Sequence, residues 1–134
     1  MRNFIKFAAI FLLSACVKSE IPISGVEMRL NFENVWWELT ENPSILEGSG
    51  IYCLIFEDES IVDAPADGLI WIYDGENDNS HVLGNFERLE GGYFLEKYDA
   101  VIEILANDSG FYTMKLESGI LSDKIDIVPC SFDL

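Results

Sequence analysis

The chain has 134 residues, enough for one domain with a buried core. It carries 24 acidic and 8 basic residues, a net charge of −16, and a single histidine. This balance argues against nucleic acid as a partner, because phosphate contacts require clustered Lys and Arg side chains. It also disfavours adhesion of the domain to anionic lipid headgroups and steers cationic partners towards the surface.

The start of the chain predicts export. Arg2 and Lys6 form a short basic segment, and residues 7–13 are an apolar run too short to span a bilayer. This pattern is typical of a secretory signal peptide, which is removed from the mature protein. We therefore expect a signal peptide at residues 1–15.

The apolar run ends in Leu13-Ser14-Ala15-Cys16, which resembles the lipobox of bacterial lipoproteins. The resemblance implies cleavage before Cys16 and diacylation of that cysteine. Val17 stands where an inner-membrane retention signal would place Asp, so the resemblance favours an anchor in the outer membrane, facing the periplasm. The domain would touch the membrane through this anchor only.

Two further cysteines predict a disulfide. With Cys16 acylated, Cys53 and Cys130 remain as an even pair in an oxidising compartment, where disulfides form and persist. Zinc is disfavoured because the sequence has no Cys-x-x-Cys motif and only one histidine, His81.

The segment after the anchor predicts a tether and then strands. Residues 16–25 show no regular spacing of apolar side chains, which indicates the lipidated cysteine and a tether. The domain is therefore predicted at residues 26–134. Residues 26–32 alternate apolar and polar side chains, as a half-buried strand does. In the strand that follows, Trp36 and Trp37 must face opposite ways, one towards the core and one towards a surface or interface.

The rest of the chain predicts more short strands and no helix. Residues 51–56 and 69–73 are apolar on both faces, and a Glu90-Gly91-Gly92 turn indicates a hairpin between two further strands. Strands are also predicted at residues 100–105 and 124–128. The class is therefore all-β.

A turn and strand near the C-terminus suggest a particular fold. Residues 107–116 contain Asp108-Ser109-Gly110-Phe111-Tyr112, which resembles the tyrosine corner of immunoglobulin-like domains, although Met114 replaces the usual cysteine. Trp71 resembles the core tryptophan of their third strand. The resemblance implies an immunoglobulin-like β-sandwich of 7–9 antiparallel strands, with Trp71, Asp108, Gly110, Tyr112 and Met114 as fold-defining residues, and a Tyr112 hydroxyl bonded to backbone just upstream.

A lipocalin-like β-barrel is the alternative. That family also favours an early tryptophan and a disulfide to the C-terminal end of the chain, as this sequence has. The resemblance implies an interior cavity for a small apolar ligand, lined here by Trp36, Trp71 and Tyr93.

Motifs for chemistry are scarce. The sequence has no phosphate-loop, dinucleotide or zinc-hydrolase motif, and His81 is the only histidine that could serve a serine nucleophile. We therefore predict no enzyme, no catalytic residue and no cofactor. Asp74, Glu76 and Asp78 alternate as calcium ligands do, but the positions of the glycine and the final carboxylate do not match a calcium loop, which favours a solvated turn.

The leading hypothesis is a non-enzymatic, lipid-anchored binding module of the cell envelope that recognises another protein, possibly a basic one. The candidate contact residues are Trp36, Trp37, Glu57, Asp58 and Glu59. One alternative is an inhibitor or immunity protein against a basic envelope enzyme or toxin, such as a lysozyme-like hydrolase. The other is the carrier of a small apolar ligand.

Overall fold

A computed structural model describes residues 20–46, 50–58 and 67–134. The described chain consists of nine strands and two short helical segments. The strands are β1 (Ile21–Pro22), β2 (Trp36–Leu39), β3 (Tyr52–Asp58), β4 (Gly68–Asp74), β5 (Asn79–Leu89), β6 (Gly92–Leu95), β7 (Ala100–Ala106), β8 (Tyr112–Ser118) and β9 (Leu121–Pro129). A short helix, α1 (Gly25–Glu27), continues as a π-helical turn (Met28–Phe32), and a 3₁₀ turn (Glu96–Tyr98) follows β6.

Strands β2 to β9 form a closed up-and-down barrel. Each strand pairs antiparallel with the next, and the last strand returns to the first, with Glu38 of β2 opposite Val128 of β9. The all-β prediction is confirmed, but the immunoglobulin-like sandwich is wrong. Strands in a sandwich and in a barrel alternate inward and outward in the same way. The two folds differ in whether the first and last strands pair, and no local pattern in the sequence reports that pairing.

Residues 25–32 form a lid over one end of the barrel instead of the predicted strand. Ser24 caps the helix by accepting a hydrogen bond from the backbone nitrogen of Glu27 (3.1 Å). Met28 and Phe32 lie four residues apart and are buried, whereas Val26 and Leu30 point outwards. These four apolar residues occupy every second position, as in a strand, and they also form two pairs spaced by four, as in a helix. The sequence pattern therefore did not distinguish a strand from a helix.

The domain begins earlier than the predicted Val26. Strand β1 pairs with β7, placing Ile21 opposite Ala106 and Pro22 opposite Leu105. The Glu20 carboxylate contacts the Lys124 amine on β9. The segment from residue 20 is therefore part of the folded body, which shortens the predicted tether.

The barrel interior is filled by side chains. Phe32 from the lid packs against four other rings, with centroid distances between 5.1 and 6.0 Å, and those rings belong to Trp37, Phe56, Tyr93 and Tyr112. The buried residues form one continuous hydrophobic cluster. Tyr93, which the carrier hypothesis placed on a cavity wall, is instead packed in this cluster. The packing of Tyr93 does not fit the ligand-lined wall that a carrier of apolar ligands would need there.

The barrel has two distinct ends. The lid end holds residues 25–32, the β5–β6 turn and the β7–β8 loop, and the chain enters the barrel beside it. The opposite end holds the β4–β5 and β8–β9 turns. The outer wall between the two ends carries the surface described next.

Candidate binding surface

The Cys53–Cys130 disulfide joins β3 to the residue that follows β9. The two Cα atoms lie 5.9 Å apart, and the bond links residues 77 positions apart in the sequence. The prediction of this disulfide is confirmed. Strand β2 lies between β3 and β9, so the bond bridges the strand at which the barrel closes.

The C-terminal segment then continues across the outside of the barrel. The backbone nitrogen and hydroxyl of Ser131 donate hydrogen bonds to Glu38 Oε1 on β2 (3.0 and 2.6 Å). The ring of Phe132 packs edge-on against Tyr73 on β4, with centroids 5.1 Å apart. This segment therefore covers one part of the outer wall and leaves the adjacent part open.

The open part is a row of apolar side chains running across four strands. Trp36 pairs with Ile55, Ile55 with Trp71, and Trp71 with Val82, so the four residues are neighbours on β2, β3, β4 and β5. We call them the aromatic row. The two tryptophans and Ile55 are half-buried, and Val82 is exposed. Adjoining residues with large, partly exposed apolar side chains are typical of protein-binding surfaces.

Trp71 was predicted as a core residue, and that prediction is wrong. Ile70 and Ile72 on either side of it are buried in the barrel, so the alternation of the strand turns Trp71 outwards. Because β4 is apolar on both faces, its sequence could not indicate which face was the inner one. The opposite orientation of the adjacent tryptophans is confirmed: Trp37 is buried and donates from its indole nitrogen to the carbonyl of Phe32 (2.9 Å).

Acidic groups border the aromatic row. Glu57 Oε1 accepts a hydrogen bond from the Trp71 indole nitrogen (3.1 Å), which fixes the orientation of that ring. At the far end of β4, Asp78 accepts a hydrogen bond from the Tyr73 hydroxyl (2.6 Å), which raises the pKa of Tyr73. The row is therefore an apolar centre with carboxylates at its edge. Of the predicted contact residues, the structure places Trp36 and Glu57 here.

The candidate calcium loop is a hydrogen-bonded turn. Asp74 accepts bonds from the backbone nitrogens of Glu76 (2.9 Å) and Asn77 (3.3 Å) and from the Asn77 side chain (2.7 Å). The bond from the Asn77 side chain is the main reason that the pKa of Asp74 is lowered. Asp74, Glu76 and Asp78 do not gather into a group of possible metal ligands. We therefore propose no calcium site there.

Within the described ranges, one group of side chains has the spacing of metal ligands, and it consists of Glu38, Cys53 and Cys130. Both of its sulfurs are used in the disulfide, so neither is a thiolate ligand. In the same part of the chain, no helix is long and apolar enough to cross a membrane. Cys16 and Glu59, two of the predicted site residues, lie outside the described residues.

A buried ion pair lies beneath the lid. The Glu33 side chain is 1% exposed and receives two hydrogen bonds from Arg88, from Nε to Oε2 (2.9 Å) and from Nη2 to Oε1 (2.8 Å). The Tyr93 hydroxyl donates to Glu33 Oε2 (2.9 Å), and Arg88 Nη2 also reaches Asp58 (2.8 Å). The Glu33 carboxylate raises the pKa of Arg88, and burial raises that of Tyr93. Both carboxylate oxygens of Glu33 accept hydrogen bonds, so the network can hold the lid to the barrel wall.

The predicted tyrosine corner is built differently. Gly110 adopts a φ of 89° in the β7–β8 loop and Asp108 is exposed, while Tyr112 and Met114 are buried as inward residues of β8. The Tyr112 hydroxyl donates to Glu27 Oε2 of the lid (2.6 Å) and not to the upstream backbone. This bond lowers the pKa of Glu27, while burial is the main cause of the raised pKa of Tyr112. Tyr112 therefore ties the barrel to the lid.

A groove on the opposite wall is a second candidate surface. Strands β1 and β6 pair with successive parts of the same edge of β7, and the groove lies at the junction between them. It consists of two adjoining cavities of about 230 and 490 Å³, both lined by Glu90, Gly91 and Glu103. Gly92, which also lines the groove, lets β6 approach β7 closely, because a Cβ there would lie 2.1 Å from the Ile102 carbonyl oxygen. The groove lining also includes Leu89, Val101, Lys115 and Glu117. Lys115 contacts Glu117 (3.7 Å), so Glu90 and Glu103 remain as the carboxylates that suit an aliphatic chain ending in a cation.

Two surfaces of different chemistry therefore lie on opposite walls. The aromatic row would bury apolar area with carboxylates at its edge, whereas the groove would receive a cationic side chain. Neither arrangement brings together a nucleophile, a base and an oxyanion donor. No protein-family model matches the chain, and comparison with curated proteins and with solved structures finds no match.

Proposed function

We propose that this protein is a non-enzymatic binding module, anchored by lipid at Cys16 to the periplasmic face of a bacterial outer membrane, that recognises another protein. The observation that carries the proposal is the aromatic row on the outer wall of a filled barrel. The lipobox resemblance supports the anchor, and the disulfide supports an oxidising compartment.

Two features make the aromatic row suited to a protein partner. Tryptophan side chains contribute most to binding when they lie at the centre of an interface and lose their water on contact. Trp36 on β2 and Trp71 on β4 lie on either side of Ile55 on β3. Glu57 holds the Trp71 ring in place before binding, so less side-chain entropy is lost on association. The carboxylates at the edge would favour a partner with basic groups around an apolar centre.

Replacing both tryptophans of the row should abolish tight binding. The partner is first recovered by pull-down from the native envelope with the anchored protein, and its affinity is then measured. We expect Trp36→Ala and Trp71→Ala each to weaken binding by about 2 kcal/mol, or roughly 30-fold, as central aromatic contacts do. Phe94→Ala is the control, because Phe94 is a half-buried aromatic residue on β6, away from the row. Equal affinity of the double variant and the wild type would exclude the row.

The groove favours a second candidate function, inhibition of a basic envelope enzyme. Glu90 and Glu103 border an opening that includes the apolar side chains of Leu89 and Val101, and Lys115 in the same lining is paired with Glu117. An arginine or lysine from a lysozyme-like hydrolase could place its aliphatic stem on this lining and its charge among the carboxylates. The net charge of −16 would accelerate the encounter with such a cationic enzyme.

This second function predicts strong salt dependence. Inhibition of a cationic lysozyme-like hydrolase should weaken by about tenfold or more when the salt concentration rises from low values to about 0.5 M, because salt screens exposed charges. The Glu90→Gln/Glu103→Gln variant should inhibit weakly at every salt concentration. Asp108→Asn is the control, since Asp108 is an exposed acid in the β7–β8 loop and does not line the groove. Inhibition that is insensitive to both salt and the groove variant would refute this function.

A further inference from the structure

The outer face of the lid exposes apolar side chains to solvent. Val26 is 66% exposed and Leu30 is 74% exposed, whereas Met28 and Phe32 on the inner face are buried. The lid is therefore apolar on both sides, although only one side has a partner within the described chain. Arg29 is also exposed on this segment, while Glu27 is bonded to Tyr112.

Further exposed apolar residues lie at the same end of the barrel. Ile21 at the start of β1 is 63% exposed, and Val35 and Phe111 are also exposed beside the lid and in the β7–β8 loop. Together with Val26 and Leu30 they place five large apolar side chains at one end of the molecule. Ile120 and Leu121 are exposed at the opposite end, but the five residues at the lid end include the outer face of a helical segment, which indicates a surface that is covered in the cell.

The position of Cys16 indicates what covers it. Only three residues, Val17, Lys18 and Ser19, separate Cys16 from Glu20, which contacts Lys124 on the barrel. The Cα atoms of Cys16 and Glu20 are at most about 15 Å apart even when the segment is fully extended. An acyl chain on Cys16 would therefore hold the chain entry, and the lid beside it, close to the bilayer surface.

We infer that the lid end of the barrel lies against the membrane, with Ile21, Val26 and Leu30 at the boundary between headgroups and acyl chains. This inference rests on the lipidated Cys16 of the proposed function. Apolar side chains at this depth leave water without requiring a spanning segment. Asp58 is paired with Arg88. The exposed acids Glu90 and Asp108 at the same end outnumber the exposed Arg29, so the surface suits a zwitterionic leaflet better than an anionic one. This orientation leaves the aromatic row on the side wall, outside the membrane contact, whereas Pro22, Gly25 and Glu90 of the groove lie at the membrane-proximal end.

A fluorescent label on the lid tests the contact. The acylated full-length protein is placed in phosphatidylcholine vesicles with an environment-sensitive fluorophore attached at Leu30→Cys or, as a second variant, at Val26→Cys. The matched control is Ile120→Cys, because Ile120 is 99% exposed in the β8–β9 turn at the opposite end. We expect spin-labelled lipid to quench the lid labels roughly threefold or more above the control, with a blue-shifted emission. Equal, weak quenching at all three positions would overturn the inference.

The same samples distinguish a failure of the lid contact from a failure of the lipid anchor on which it rests. Mass spectrometry of the wild-type protein shows whether Cys16 is acylated. If Cys16 is acylated and the lid labels remain in water, the lid contact is wrong while the proposed function stands. If Cys16 carries no lipid, the anchor is wrong and the lid contact falls with it. Adding anionic phosphatidylglycerol should reduce quenching of the lid labels, because of the acidic residues at this end.

Discussion

Replacing the disulfide with Cys53→Ser and Cys130→Ser together is expected to lower the free energy of unfolding by about 4 to 5 kcal/mol. The bond closes a loop between cysteines 77 positions apart, and a loop of that length gives the unfolded chain much more freedom once it is opened. The native state also loses a link across the seam where β9 meets β2. The C-terminal segment that crosses Glu38 and Tyr73 should then detach more readily.

The measurement is urea unfolding of the double variant beside the wild type, with and without reductant. Reductant should lower the stability of the wild type towards that of the variant and leave the variant unchanged. The double variant is preferred to a single one because it leaves no free thiol to form bonds between molecules. A loss below about 1 kcal/mol would show that the disulfide does not constrain the seam of the barrel.

Removing the Arg88 charge that neutralises Glu33 should also lower the free energy of unfolding. We expect Arg88→Met to cost about 3 to 5 kcal/mol, because it leaves a carboxylate that is 1% exposed without its cation. Tyr93 alone would then bond to the carboxylate. The lid should loosen, since Glu33 directly follows the lid and Arg88 lies on β5.

A double variant and a surface control test whether the unpaired buried charge causes the loss of stability. Glu33→Gln combined with Arg88→Met removes both charges and should recover part of the lost stability, since the unpaired buried charge causes most of the damage. Lys115→Met is the control, because its contact with Glu117 is 3.7 Å long and both side chains are largely exposed. That change should cost less than about 1 kcal/mol. Equal losses for Arg88→Met and Lys115→Met would contradict the structural role given to the buried pair.

The sequence predicted the features that depend on neighbouring residues. Short apolar runs between turn residues located most strands, and the Glu90-Gly91 turn predicted the β5–β6 hairpin, because turn residues act within a few positions. The disulfide followed from the number of cysteines and the predicted compartment. The outward orientation of one of two adjacent tryptophans followed from strand geometry alone.

The remaining features depend on contacts between distant residues. The ion pair joins Glu33 to Arg88, 55 positions away, and the sequence showed Glu33 only as part of a polar break between strands. Barrel closure depends on β2 meeting β9, which no local pattern encodes. Trp71 could not be assigned to a face because its strand is apolar on both sides. The aromatic row follows from the register of four strands and is seen only in the folded chain.

We propose that this barrel binds its partner through its outer wall, at the aromatic row. Photo-crosslinking in the native envelope tests it most directly, with a photoreactive residue placed at Val82 in the row or at Val101 in the groove, since both side chains are exposed on strands of different walls. Ile120, at the end away from the lid, is a third position that should give no adduct. The account predicts a discrete protein adduct from Val82. An adduct from Val101 with none from Val82 would contradict it and favour the groove.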